Sequence, residues 1–175
     1  MYEGFTTPEP GDLFLCYDST LLGRAIDRVE EIGMLRRGQK PPKGRPVYSH
    51  VAVYIGNGEC IEALGPGLVK TLAVDHHGKA DIWTQHVERR GRDRIVKKAQ
   101  KMLRQGYTYS WWDLFVQFAW LIFGLRIPWH QKRSLVCSVF GYDVWMADGI
   151  KIAPRRNCAP EDIPLYGTLF FRGRW

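Results

Sequence analysis

Apolar positions along the chain change their spacing several times, and each change marks an element. GDLFLCY (11–17) is a compact apolar run after Pro10-Gly11, the pattern of a first strand. In STLLGRAIDRVEEIG (19–33) the period lengthens. Leu21, Leu22, Ala25, Ile26 and Val29 recur at helical intervals, with Asp18 or Ser19 as N-cap. HVAVYI (50–55) and ECIEAL (59–64) alternate around Asn57-Gly58, the strongest hairpin signal in the chain. GLVKTL (67–72) and DIWTQHVE (81–88) extend the meander with a third and a fourth strand of that sheet. RDRIVKKAQKMLRQG (92–106) is amphipathic and ends at Gly106 with basic residues in its last turn. A third helix begins at Trp111.

CSVFGYDVWMADGI (137–150) forms a fourth helix that Gly149 ends. Its apolar faces come from Val139, Phe140, Val144 and Met146 or Ala147. APEDIP (159–164) is a turn or short helix, and YGTLFF (166–171) a last strand. A meandering antiparallel sheet with helices before and after it is an α+β architecture, and 175 residues suit one domain spanning 1–175. There is no internal repeat and no low-complexity tract.

Composition adds little to this and charge adds more. The chain is 45% hydrophobic and 25% charged, ordinary for a globular protein. A net charge of +7 directs attention to anionic partners: a membrane surface, an acidic polymer or nucleic acid. No zinc-finger or RNA-binding signature supports a dedicated nucleic-acid module. RRGQKPPKGRP (36–46) places five Lys/Arg residues in a Pro/Gly-rich loop, either a cleft wall for an acidic substrate or a solvated face. The N-terminal MYEGFTTPEPGD lacks the basic and apolar regions of a secretory signal. In WWDLFVQFAWLIFGLRIPW (111–129) the unbroken apolar run is only FAWLIFGL, far short of the roughly 20 residues that span a bilayer. It reads as a buried helix, or else as an interfacial one. The chain is therefore expected in the cytoplasm, or delivered by another route such as a phage particle.

Candidate chemistry centres on four cysteines and five histidines. Cys16, Cys60, Cys137 and Cys158 form no CxxC pair, and a disulfide framework is not expected at this size. Cys16 and Cys60 lie in strand-like runs and read as core residues. Cys137 opens a helix after the basic HQKRS (130–134), where free N–H groups and positive charge stabilise a thiolate. Locally, it is equally well a small buried hydrophobe. His50 starts a strand and is a core or surface histidine, a metal ligand or a base. As a base it would take the thiol proton and return it to a leaving group. Glu62 fits the third polar role that fixes the imidazole tautomer. Pairing across the Asn57-Gly58 turn sets 53–56 opposite 62–59, so that His50 faces a residue near 65 and Glu62 lies one diagonal step away. His76, His77 and His86 match no common metal spacing, and the chemistry calls for no cofactor.

The order of these pieces carries a resemblance. GDLFL, then YSHVAVYIGNG, then IEALG, then Gly-Tyr-x-Tyr at 106–109, then a late Cys-Ser at a helix start is similar to the NlpC-type cysteine peptidases. With histidine first and cysteine last, it resembles their circularly permuted, YiiX-like branch. The resemblance runs from Gly11 to about Pro164, where APEDIP is similar to that branch's closing segment. It implies a permuted papain-like core with Cys137 as nucleophile, His50 as base and Glu62 as its orienting partner. Tyr48 or Tyr109 would assist an oxyanion hole. RRGQKPPKGRP and the Trp-rich 111–123 exceed what the motif requires, and both bear on substrate.

The resemblance implies a cysteine hydrolase working through a thioester, an amidase or peptidase on cell-wall-type peptides. Permuted relatives similar to lecithin retinol acyltransferase use the same Cys/His pair to move acyl groups. An acyl hydrolase or acyltransferase at an anionic membrane is thus the second expectation. A non-catalytic binding module on the same fold is the third.

Overall fold

The structure, a computed structural model, describes residues 6–17, 21–36, 38, 40, 47–110, 119 and 134–175. The N-cap assigned to Asp18 or Ser19 lies outside these residues. So do most of the 36–46 loop, the aromatic segment apart from the buried Ala119, and residues 130–133 of HQKRS.

The architecture is α+β: an antiparallel sheet packed against helices. In chain order the elements are β1 (Leu13–Cys16), α1 (Leu21–Arg36), β2 (His50–Gly56), β3 (Glu59–Leu64), β4 (Gly67–Leu72), a 3-10 turn (Ala73–His76), β5 (Ala80–Thr84) and α2 (Arg89–Arg104). There follow β6 (Thr108–Tyr109), β7 (Ser134–Leu135), α3 (Cys137–Trp145) and its 3-10 extension (Met146–Asp148), α4 (Asp162–Tyr166) and β8 (Phe170–Arg174). Six strands form one sheet in the order β4-β3-β2-β1-β5-β8, and β6 and β7 pair in parallel.

Side-chain alternation divides the sheet into two faces. Leu13, Leu15, Val51, Val53, Ile61 and Ala63 point to the main core beneath α2 and α3. Phe14, Cys16, Ala52, Cys60, Ala80 and Ile82 point the other way, where Tyr54 and Trp175 close a smaller core. α3 lies close on β2 because residue 141 is glycine: a Cβ there would meet Val51 Cγ1 at 3.0 Å. Immediately before β1, an interior strand, Asp12 is fully buried and holds several elements together. It accepts hydrogen bonds from the Glu9 backbone, Thr84, Arg92 and Arg172.

Several elements differ from the sequence expectation. β5 stops at Thr84 and does not run on to residue 88. α2 begins at Arg89, three residues earlier than the apolar period indicated. β8 starts at Phe170, because Tyr166 ends α4 and Gly167 turns the chain with φ +76°. On α3, Val139, Phe140 and Val144 are buried as expected; of the alternatives Met146 and Ala147, both on the 3-10 extension, Met146 is exposed and Ala147 half-buried. The fully buried Trp145 supplies the bulk on that side.

The hairpin register also differs. Ala52 pairs with Glu62, Val53 with Ile61 and Tyr54 with Cys60, after a bulge between Tyr54 and Gly56. Every residue of β2 ahead of the bulge is one place out from the pairing that the turn alone implies. Among the described residues, no helix is long and apolar enough to cross a membrane.

Candidate active site

The bulge decides which way Glu62 points. Opposite residues of an antiparallel pair share a face, and a one-residue slip moves a whole strand's side chains to the other side. Paired with Val53, Glu62 would enter the apolar core beneath the helices with no partner. Paired with Ala52, it shares the face of Ala52 and therefore of His50. Asn57 (φ +54°) and Gly58 (φ +74°) make the tight turn, and Gly56 absorbs the bulge at φ +96°.

His50 Nε2 lies 2.6 Å from Glu62 Oε2. The carboxylate is 3% exposed, and its second oxygen accepts hydrogen bonds from Thr71 Oγ1 at 2.5 Å and His76 Nε2 at 3.2 Å. Burial opposes ionisation of Glu62, but bonds from His50, His76 and Thr71 outweigh it and hold its pKa well below the carboxylate range. Thr71 reaches Glu62 because Thr71 pairs with Cys60 and so stands on the same face.

His50 is the first residue of β2, paired with Cys16 at the end of β1. On one side it meets Glu62; on the other it hydrogen-bonds the Cys137 thiol. With Nε2 engaged by Glu62, Nδ1 is the nitrogen left for sulfur. Burial alone would push the imidazole pKa down, but the charge and hydrogen bonds of Cys137 and Glu62 raise it to about 10.

Cys137 is the first residue of α3 and is nearly buried, at 7% exposure. The N-cap is Val136, in extended conformation and with no side-chain capping bond, so the first-turn N–H groups face the sulfur's surroundings. Ser138 anchors the helix start by donating to the Cys158 carbonyl at 2.6 Å. None of the four cysteines forms a disulfide, and all four are buried. Burial, with the nearby Glu62 and Asp75 charges, pushes the Cys60 thiol pKa far up, in keeping with a core role.

The two tyrosines separate by location. Tyr48 is fully buried, donates to Asp81 Oδ2 at 2.5 Å and accepts from Trp83 Nε1 at 3.1 Å, so its hydroxyl is committed to the fold. Tyr109 is drawn toward the sulfur by the parallel pairing of β6 with β7, which sets Tyr109 beside Leu135. Burial and the Cys137 charge raise its pKa, keeping the phenol protonated as a donor.

Cys137, His50 and Glu62 are thus assembled into one chain of contacts, and Tyr109 borders it. Sequence reasoning missed Thr71 and His76. Thr71 was readable as the alternate residue of a third strand once the register was known. His76 lies on a 3-10 turn, which has no periodic signal. His77 packs edge-on against Trp175, and His86 lies at a tilt against Phe170. Among the described residues, no group of three or more His, Cys, Asp or Glu side chains is placed to hold a metal ion. No protein-family model matches the chain, and no curated protein matches it.

Proposed function

We propose that the protein is a cysteine hydrolase of the NlpC-like superfamily, on a permuted papain-like fold, cleaving amides of cell-wall-type peptides through a thioester. The observation that carries this reading is His50 held between a helix-start thiol and a buried carboxylate. The order of parts is in keeping with it: base on a sheet strand first, nucleophile on a late helix packed against that strand.

In the reaction the Cys137 sulfur attacks the amide carbonyl carbon. The C–N bond breaks as the His50 imidazolium gives its Nδ1 proton to the departing amine. Water then loses a proton to Nδ1 and attacks the thioester carbon, and the C–S bond breaks to restore the thiolate–imidazolium pair. The developing oxyanion is stabilised by N–H groups at the start of α3 and by the Tyr109 phenol. Glu62 stays ionised and keeps the imidazole in plane. The test is release of new amino termini from soluble cell-wall peptides, by wild type and by Cys137→Ser. Release by the serine variant at the wild-type rate would refute the assignment.

One observation favours the second reading, acyl transfer or acyl hydrolysis at an anionic membrane. Arg90, Arg94, Lys97, Lys101 and Arg104 line one exposed face of α2, a basic stripe suited to an anionic surface. Co-sedimentation with anionic vesicles at low salt, followed by acyl-ester turnover on them, distinguishes this reading from the first.

A further inference from the structure

His76 occupies the far side of Glu62 from the candidate base. It closes the 3-10 turn Ala73–His76 that follows β4, and its side chain is 12% exposed. Nε2 lies 3.2 Å from Glu62 Oε1, Nδ1 lies 3.6 Å from Cys16 Sγ, and the ring stands edge-on to Phe14 with centroids 5.9 Å apart. The arrangement mirrors His50, whose Nε2 meets the other Glu62 oxygen and whose other side meets Cys137. One buried carboxylate is therefore shared by two imidazoles, each backed by a thiol.

The protons along this chain follow from chemistry. An ionised carboxylate only accepts, so His76 must carry its proton on Nε2. In the neutral imidazole Nδ1 is then an acceptor facing Cys16 Sγ, whose single S–H also has the Phe14 carbonyl within reach at 3.8 Å. Glu62 Oε1 thereby receives two donors, His76 and Thr71, while among the described residues Oε2 is left to His50.

We infer that His76 is a positioning residue for the proposed reaction. Together with Thr71 it pins Glu62 Oε1, so that Oε2 stays aimed at His50 and the His50–Cys137 ion pair is held formed at neutral pH. The inference rests on the proposed thiol chemistry but concerns a residue that touches neither substrate nor the Cys137 sulfur. His76→Ala leaves Thr71 as the one remaining donor to Oε1 among the described residues, and the carboxylate gains freedom to turn away. His76→Gln restores an N–H at nearly the same reach.

The experiment is the pH profile of Cys137 alkylation by limiting iodoacetamide, read by peptide mass spectrometry in wild type, His76→Ala and His76→Gln. Thermal unfolding confirms that each sample is folded. In parallel, long-range proton–nitrogen NMR on wild type reads the His76 tautomer. The expected result is an Nε2–H tautomer, with alkylation at pH 6 about tenfold slower in His76→Ala, the weight of one charge-assisted hydrogen bond. Its profile shifts to higher pH, and His76→Gln recovers most of the loss. An unchanged profile in folded His76→Ala overturns the inference. Equal loss in both variants overturns it too, by showing that ring packing matters and the donor does not. If wild-type Cys137 shows no selectivity over the other thiols, the proposed function itself fails; the NMR tautomer then reports separately whether His76 holds Glu62.

Discussion

His50 and Glu62 meet at 2.6 Å only because β2 carries a bulge before its turn. A regular two-residue hairpin at Asn57-Gly58 would set Glu62 opposite Val53, on the face away from His50. The extra residue at Ile55–Gly56 restores the shared face, and with it the link between a buried carboxylate and the imidazole.

That relationship makes Gly56 sensitive. Its φ of +96° is disfavoured for any side chain, and a Cβ would also meet Pro10 Cγ at 3.3 Å. Gly56→Ala is expected to cost about 1–3 kcal/mol and to slow Cys137 alkylation. Urea unfolding and the alkylation assay read the two effects. A variant as stable and as reactive as wild type would mean that the bulge does not set the site.

The two ionisable partners should leave opposite flanks on the stability–pH curve. Glu62 is held below the carboxylate range, so its contribution is present above about pH 4.5 and is lost as the pH falls. His50 is raised to about 10, so its contribution is full below about pH 6.5 and is lost as the pH rises through about 10. Thermal unfolding across pH should show Glu62→Gln flattening the acid flank and His50→Gln the alkaline one. Parallel curves for all three proteins would count against both assignments.

Tyr109→Phe removes the phenol beside the sulfur but leaves the thiol and imidazole in place. It should lower turnover of a cleaved amide by about a hundred- to a thousandfold, with little change in alkylation of Cys137. Tyr48→Phe should instead lower stability, because Asp81 and Trp83 lose their partner. Kinetics paired with melting curves check this; the reverse pattern would exchange the two roles.

Asp12 carries a purely structural prediction. It is buried between Arg92 and Arg172, so Asp12→Ala leaves both cations to Glu9, their other shared carboxylate, and strips the Thr84 hydroxyl and the Glu9 N–H of their acceptor. The expected loss is about 1–3 kcal/mol, measured by chemical denaturation. A loss below about 1 kcal/mol would place this cluster with ordinary surface ion pairs.

The strands and helices with strong periods were legible in the sequence: β1, the hairpin, β4, α2 and the helix begun by Cys137. Their ends were less so, because Tyr166 and residues 85–88 carry strand-like side chains in places where a helix end and a loop take the backbone. The register was not legible. VAVYIG is apolar enough to pair either way, and the choice lies in which face can accommodate a glutamate. Cys137, His50 and Glu62 could be singled out by residue type and order. His76 could not, since it comes to Glu62 through a non-periodic turn whose place depends on the whole sheet. Tyr109 and Tyr48 became distinguishable only through their neighbours, Leu135 on a parallel strand for one and Asp81 for the other.

The proposed chemistry stands or falls with a thiolate–imidazolium pair at Cys137 and His50. Limiting iodoacetamide from pH 5 to 9, with each of the four cysteines followed separately in wild type and His50→Ala, measures that pair. At pH 6 Cys137 is expected to react far faster than Cys16, Cys60 and Cys158, and His50→Ala to abolish the advantage. A Cys137 that is inert, or that reacts like an ordinary thiol in both proteins, would contradict it and turn attention to a binding role.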